Sequence, residues 1–358
     1  MKKHIQLLFS VVLLVTLILL ATSAQSAPAN VTELRFANYF PPASKPSAAG
    51  AEFCKEIEKR TNGRVKITYF PGGGLLTAPR MYDGVVEGIA DIGFGGMAYH
   101  KGKFPVTEIL DLPIGITSGW VMTRLVADFY QKVRPKEWDG THILWMSGTG
   151  PTVIQTRKPV YKLEDLKGLT IRAQGRAADI MSALGATPRA VPMAEAFEGV
   201  SKGVMDGFLL PFEVLETFKL AEVLTHVTVG AEIGSAFTFY AVMNKNLWAK
   251  LPADIQKIFD EVSKEFEDKY ALLWNDIDIS GAKVGLGKGI KIIHLSPEEV
   301  SKWTVALKPV NDAYIKEMVD AGFSKAEMEK NLAFVKERVA YWNKKQIELG
   351  IPFPSAPI

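Results

Sequence analysis

Short apolar segments alternate with amphipathic ones along most of the chain. Residues 31–38 and Val65–Phe70 have the β-branched and aromatic character of strands. Between them a helical pattern runs to about Arg60 and stops at Asn62 and Gly63, a common signal for the end of a helix. Strands that alternate with helices in this way predict parallel sheets covered by helices, and therefore an α/β fold.

Two segments share a sequence pattern, and the distance between them along the chain is about the length of one lobe. Residues 83–91 read DGVVEGIAD, and residues 198–206 read EGVSKGVMD. Each predicts a helix that stops at a glycine, Gly88 or Gly203, and an aspartate turn that leads into an apolar strand. The repeat therefore predicts two lobes built from the same βαβ unit.

The C-terminal third is mostly helical. Apolar residues recur at helical spacing after Pro252, and a last helix is predicted from about Ser324 to Leu349. No low-complexity linker divides the chain, so we expect the lobes to be joined by crossing strands and a long helix. The predicted boundaries are residues 28–149 plus 237–280 for the first lobe and residues 150–236 plus 281–358 for the second.

The first residues have the layout of a secretory signal peptide. Lys2 and Lys3 precede an apolar run over residues 5–20, and small residues follow in ATSAQSA. An uncleaved anchor is the alternative, because the run could nearly span a bilayer. We predict that residues 1–27 are cleaved and that the mature chain is a periplasmic protein that is not embedded in the membrane.

Charge and composition argue against several classes of function. The 42 lysines and arginines nearly balance 39 aspartates and glutamates, which gives no indication of a nucleic-acid partner. The single Cys54 excludes an intramolecular disulfide framework. Paired-histidine metal spacings and nucleophile motifs are lacking, so the sequence predicts no catalytic residues, no metal site and no cofactor.

Arg172 is the residue whose position indicates a ligand site. It ends a short apolar strand in LEDLKGLTIRAQG, and ligands of open α/β folds bind at the carboxyl ends of strands. A guanidinium group there can hold a carboxylate through two parallel charge-assisted hydrogen bonds. On these residues alone, the alternative is a surface arginine paired with a nearby acid.

Residues 163–211 carry the most specific likeness to a known family. LEDLKGLTIR, LGATP, VPMAEAFEGVSKGVMDG and FLLP follow one another in the order and spacing of the DctP-type substrate-binding subunits of TRAP (tripartite ATP-independent periplasmic) transporters, which the chain resembles. FANYFPP, GRVKITYFPGG, LDLP and LPADIQKIFDEV extend the resemblance over nearly the whole mature chain. It implies a type II-like bilobal α/β fold that closes on a small organic acid and delivers it to a sodium-coupled membrane permease.

The resemblance also implies that Arg172 is the carboxylate clamp. Thr152 stands where sialic-acid-binding relatives have a second arginine, and Leu210 stands where an asparagine touches the carboxylate in them. Fewer polar contacts suit an aromatic or hydrophobic acid. The other ligand contacts expected from the matched segments are Tyr39, Phe40, Phe94, Met193, Phe208, Phe212 and Glu213.

Some alternatives stay open at this point. Several of these rings could belong to the core instead. Glu213 could meet a ligand ammonium, as in an amino acid, or begin the next helix, where an acid suits the helix dipole. For the whole chain, the alternatives to a TRAP receptor are an ABC-class receptor, a ligand receptor for a sensor and a secreted enzyme.

Overall fold

The computed structural model describes residues 31–230 and 234–353, so the predicted leader at residues 1–27 lies outside the described residues. In these ranges the strands are β1 (Thr32–Asn38), β2 (Val65–Phe70), β3 (Ile92–Gly96), β4 (Thr141–Gly148), β5 (Val153–Thr156), β6 (Thr170–Arg172), β7 (Thr187–Arg189), β8 (Gly207–Leu210), β9 (His226–Val229), β10 (Thr238–Asn244) and β11 (Lys291–His294). The helices are α1 (Lys45–Arg60), α2 (Met81–Val86), α3 (Gly119–Val133), α4 (Arg176–Ala183), α5 (Ala196–Ser201), α6 (Val214–Thr217), α7 (Lys245–Trp248), α8 (Ala253–Gly287), α9 (Pro297–Asp320) and α10 (Lys325–Glu348).

The strands form two sheets that share a topology. The first sheet has the order β2-β1-β3-β10-β4, and the second has the order β7-β6-β8-β5-β9-β11. In each sheet three parallel strands come first and are followed by two strands that pair in the antiparallel sense. The predicted α/β fold with two similar lobes is therefore confirmed.

The aspartates of the repeated segment have equivalent roles in the two sheets. The N–H of Asp91 donates to the carbonyl of Arg35 in β1 (2.9 Å), and its Oδ2 accepts from the N–H of Arg35 (2.7 Å). Asp206 makes the same two hydrogen bonds with Thr170 in β6, both at 2.8 Å. Each aspartate thereby fixes the position at which a parallel strand, β3 or β8, begins beside its neighbour.

Two connections cross between the sheets side by side. They are the link from β4 to β5 and the described part of the link from β9 to β10. Thr149 donates its N–H to Phe237 (3.0 Å), and Thr152 donates its N–H to Ser235 (2.8 Å). The hydroxyl groups of Thr152 and Ser235 also lie 2.7 Å apart. The predicted crossing segments thus form a short paired ribbon, which is the form a hinge between lobes takes.

Helix α8 is the long helix that the sequence predicts. It spans 35 residues and contacts α1, α3 and β4 as well as α6, so it touches elements on both sides of the crossing segments. Gly281 permits the contact near α6, because a Cβ at this position would collide with the carbonyl oxygen of Phe212.

The last helix returns to the side of the first sheet. Helix α10 packs on α3, where Asp128 accepts hydrogen bonds from Arg338 (2.7 Å) and from the Trp342 indole (2.6 Å). The sequence analysis places this helix in the second lobe, and it does not foresee this contact. The lobe boundaries stay a prediction. None of the helices in the described ranges has both the length and the hydrophobicity that a membrane span requires.

We expect Gly281→Ala to lower the free energy of unfolding by about 1–3 kcal/mol, because the new methyl group is forced against backbone. Gly287→Ala is the matched control, since a Cβ at Gly287 in the same helix has no heavy atom within 4 Å. That variant should be neutral or more stable by up to about 1 kcal/mol. Urea denaturation measures both values, and equal stability of the two variants would contradict this account of the α8 packing.

Candidate ligand-binding site

A pocket lies between the two sheets, where the carboxyl ends of β1, β3, β6 and β8 meet. This edge of an open α/β sheet is where ligands bind. Six of the lining residues are aromatic, and they are Tyr39, Phe40, Tyr99, Phe218, Phe237 and Phe239.

Arg172 is a buried cation in this wall. It is the last residue of β6 and is only 2% exposed. Its Nε donates to the carbonyl of Val191 (3.1 Å), which also accepts from the side chain of Gln174 (2.9 Å). Its Nη2 makes a long contact of 3.4 Å to the hydroxyl of Tyr99. Among the described residues, Nη1 donates to no acceptor and the guanidinium makes no ion pair.

A second buried arginine, four residues further on, shows what Arg172 lacks. Arg176, also 2% exposed, donates to Glu108 (2.6 Å) and makes two hydrogen bonds to Glu317 (2.6 and 2.9 Å). Burying a charge costs free energy unless it is paired. Arg176 meets that need within the protein, whereas Arg172, which lines the pocket, has donors that no described carboxylate accepts. The alternative of an exposed surface arginine is wrong, because the side chain is buried.

Glu213 is an acidic group in the same pocket wall. It is 4% exposed, and its Oε2 has no hydrogen-bond partner among the described residues. Its N–H donates to Asp278 of α8 (2.9 Å). Burial raises the pKa of Glu213 to about 8 and the pKa of Asp278 to about 7, and the proximity of Asp278 adds to the first shift. Glu213 is therefore mainly protonated at neutral pH.

Tyr39 is a further titratable residue of the pocket wall. Burial raises the pKa of its hydroxyl well above the usual range, the nearby Glu213 raises it further, and Arg172 lowers it. The hydrogen bonds of Arg172 go to Val191 and Tyr99, not to Glu213. The pocket wall thus holds a buried base and a buried acid that are not paired with each other, together with aromatic surface.

Six of the ten predicted ligand contacts lie in the pocket wall: Arg172, Tyr39, Phe40, Met193, Leu210 and Glu213. Four others lie outside it. Phe94 is fully buried in the core of the first sheet, and Phe208 is fully buried within β8. The Thr152 hydroxyl pairs with that of Ser235 in the crossing ribbon, and the backbone of Phe212 packs on α8. The structure places these four residues outside the pocket wall, and their assignment as ligand contacts stays a prediction.

The sequence analysis missed several wall residues. Gln174 follows the clamp motif by two positions, and the spacing along the loop after β6 could have indicated it. Phe237 and Phe239 enter the wall because β10 pairs with β3, which brings Phe239 opposite Gly96. That pairing joins distant parts of the chain, so no local pattern predicts it.

Two like α/β lobes, a paired crossing ribbon and a pocket at the facing strand ends define a two-lobed solute-binding protein. The model of the DctP family, described as bacterial extracellular solute-binding protein, family 7, matches residues 36–317. The chain belongs to this family. Members are substrate-binding proteins of TRAP transporters that bind small organic acids, so the predicted family and the predicted binding rather than enzymatic role are confirmed.

Three similar proteins illustrate the range of ligands. The C4-dicarboxylate-binding periplasmic protein DctP of Rhodobacter capsulatus is 25% identical over 78% of this chain and 85% of its own length. A TRAP solute-binding protein of Rhodoferax ferrireducens, in complex with copurified benzoate, is 25% identical with a TM-score of 0.81, covering 88% of this chain and 99% of that one. A TRAP periplasmic solute-binding protein of Bordetella bronchiseptica, with bound (R)- and (S)-mandelate, is 26% identical with a TM-score of 0.79, covering 87% and 99%.

We expect the stability of the protein to fall between about pH 5 and pH 8, in part because of Glu213. Its pKa is raised in the fold, so its contribution is complete below the unfolded pKa and is lost as the pH rises through about 8. Glu213→Gln removes this titration and should make the decline shallower by up to about 1.4 kcal/mol per pH unit. Asp278 and Asp111, with pKa values of about 7, still titrate in the variant.

Chemical denaturation at several pH values measures these slopes. Exposed Glu222→Gln, further along the chain, is the control and should leave the slope as in the wild type. An unchanged slope in Glu213→Gln would show that Glu213 is ionised in the folded protein at neutral pH.

Proposed function

We propose that this chain is the receptor for an aromatic or similarly apolar monocarboxylate. Arg172 holds the ligand carboxylate through paired hydrogen bonds, and the rings of the wall pack on the remainder of the ligand. The observation that carries the proposal is the buried guanidinium of Arg172, which forms no ion pair with a described residue, in contrast to Arg176.

The charges in the pocket favour a monocarboxylate over a dicarboxylate. In the pocket wall, the acidic or basic side chain other than Arg172 is the carboxyl group of Glu213. A second ligand carboxylate would meet either this acid or aromatic and aliphatic surface such as Phe239 and Leu210, where a charge is costly to bury. The benzoate and mandelate complexes of the Rhodoferax and Bordetella proteins support this ligand class.

The ligand would be held between the lobes. Tyr39 and Phe40 follow β1 of the first sheet, whereas Arg172 ends β6 of the second. A ligand that contacts both sides stabilises the closed arrangement relative to the open one. Lys101 and Asp179 form an ion pair across the same cleft (2.7 Å), which adds to closure.

Export and delivery complete the proposal. Family members such as the Rhodobacter protein are periplasmic, and we propose that residues 1–27 direct export of this chain and are cleaved. The lobes, bounded as the sequence predicts, would then present the bound acid to the membrane permease subunits of a TRAP transporter.

Arg172→Ala should weaken benzoate binding by about 30-fold or more, because it removes one partner of a buried hydrogen-bonded charge pair. The matched control is Arg189→Ala, on the neighbouring strand β7, where the exposed Arg189 lies opposite Arg172 in register. That variant should bind as the wild type does. Isothermal titration calorimetry measures the affinities, and an unchanged affinity in Arg172→Ala would overturn the clamp assignment.

A thermal-shift screen tests the ligand class. A ligand at a hundred times its dissociation constant adds about 2.7 kcal/mol of stability. We expect stabilisation by benzoate, phenylacetate and mandelate and none by succinate or malate at equal concentration. Stabilisation by the dicarboxylates alone would contradict the proposed pocket chemistry.

A further inference from the structure

We propose that Glu213 is a specificity-determining residue that hydrogen-bonds a hydroxyl group of the ligand, at a position remote from the ligand carboxylate. This inference rests on the proposed function, in which Arg172 holds the carboxylate. It narrows the ligand class from aromatic monocarboxylates to hydroxylated ones.

The first support is the place of Glu213 in the pocket. Arg172 ends β6, and Glu213 follows β8, the neighbouring strand, after a turn through Pro211. Both side chains line the same pocket, yet no ion pair joins them among the described residues. A ligand whose carboxylate is held by Arg172 can therefore contact Glu213 through another part of the molecule.

The second support is the unused hydrogen-bonding capacity of Glu213. Its Oε2 is buried and has no partner in the described part of the chain, and a buried polar group without a partner lowers stability. The residue precedes α6, but its side chain makes no capping hydrogen bond to that helix. The structural role expected from the sequence, at the start of the next helix, does not use this oxygen.

Asp278 does not provide the missing hydrogen bond to the carboxyl group of Glu213 either. The Oδ1 of Asp278 accepts from the backbone N–H of Glu213, but no hydrogen bond joins the two carboxyl groups among the contacts of the described residues. Asp278 lies behind the pocket wall, with Oδ2 directed at Gly150. Its charge opposes ionisation of Glu213.

The charges around Glu213 affect its protonation state, and the protonation state decides which ligand group it can bind. Burial raises the pKa of Glu213 to about 8; a side-chain hydrogen bond from Thr217 opposes this shift, and Asp278 on α8 and Glu216 on its own helix add to it. A protonated carboxyl group both donates and accepts one hydrogen bond, which matches a hydroxyl group. An ammonium group would need the ionised form, which burial and both neighbouring acids oppose.

The test is titration calorimetry at pH 7 with benzoate, 3-hydroxybenzoate and 4-hydroxybenzoate. The wild type should bind one of the two hydroxybenzoates at least about tenfold more tightly than benzoate. Glu213→Gln should keep that preference to within about threefold, because the amide offers a donor and an acceptor without charge. Glu213→Leu should lose the preference, so that its affinity for the favoured hydroxybenzoate falls to within about threefold of its own affinity for benzoate.

Several outcomes would overturn the inference. They are equal binding of the three acids by the wild type, or a hydroxyl preference that survives in Glu213→Leu. Tighter binding of 3-(aminomethyl)benzoate, with loss of that binding in Glu213→Gln, would assign Glu213 to an ammonium instead.

Benzoate binding distinguishes failure of the Glu213 inference from failure of the proposed function. Benzoate binding that depends on Arg172, without a hydroxyl preference, would overturn this inference alone. Failure of the wild type to bind any aromatic acid would overturn the proposed function as well.

Discussion

A buried guanidinium group requires a negative partner. The pocket of this structure is arranged around a buried guanidinium group that has no negative partner among the described residues. Arg172 is fixed from behind by the carbonyl of Val191 and faces a pocket lined with aromatic rings. Four residues later, Arg176 is equally buried and is bound by Glu108 and Glu317. The contrast identifies one arginine as part of the framework and the other as the group that a ligand completes.

The same contrast explains how binding could drive closure. Arg172 belongs to the second sheet, but its contacts to Tyr99 and the nearby ring of Tyr39 come from the first. A ligand anion compensates the buried charge only when the two sides are together, because separation of the lobes would let water reach the guanidinium. The paired ribbon of Thr152 and Ser235 limits the motion to bending about the crossing segments.

Local features of the fold could be predicted from the sequence. Gly88 and Gly203 have φ values of +77° and +71°, which L side chains rarely adopt, so glycine marks these helix ends. The aspartates that follow fix β3 and β8 beside their neighbours. The glycine and the aspartate of each copy lie within a few residues of each other, so a local sequence pattern contains both. The repeat of that pattern therefore predicted two similar lobes. The position of Arg172 at a strand end followed from the same reasoning.

The pocket wall could be predicted only in part. All residues of β3 and β8 are buried. A strand that is buried on both faces does not alternate between hydrophobic and polar residues, so its sequence does not show which side chains face the pocket. The rings of Phe94 and Phe208 could therefore not be separated from true wall residues. Phe239 was missed for another reason, since β10 reaches the pocket only through its long-range pairing with β3.

The most direct test of the central claim is a crystal structure of the mature protein with benzoate. The account predicts that both carboxylate oxygens lie about 2.7–2.9 Å from guanidinium nitrogens of Arg172, with the ring among Tyr39, Phe40 and Phe239. A carboxylate that points away from Arg172, or a ligand bound outside this pocket, would contradict it.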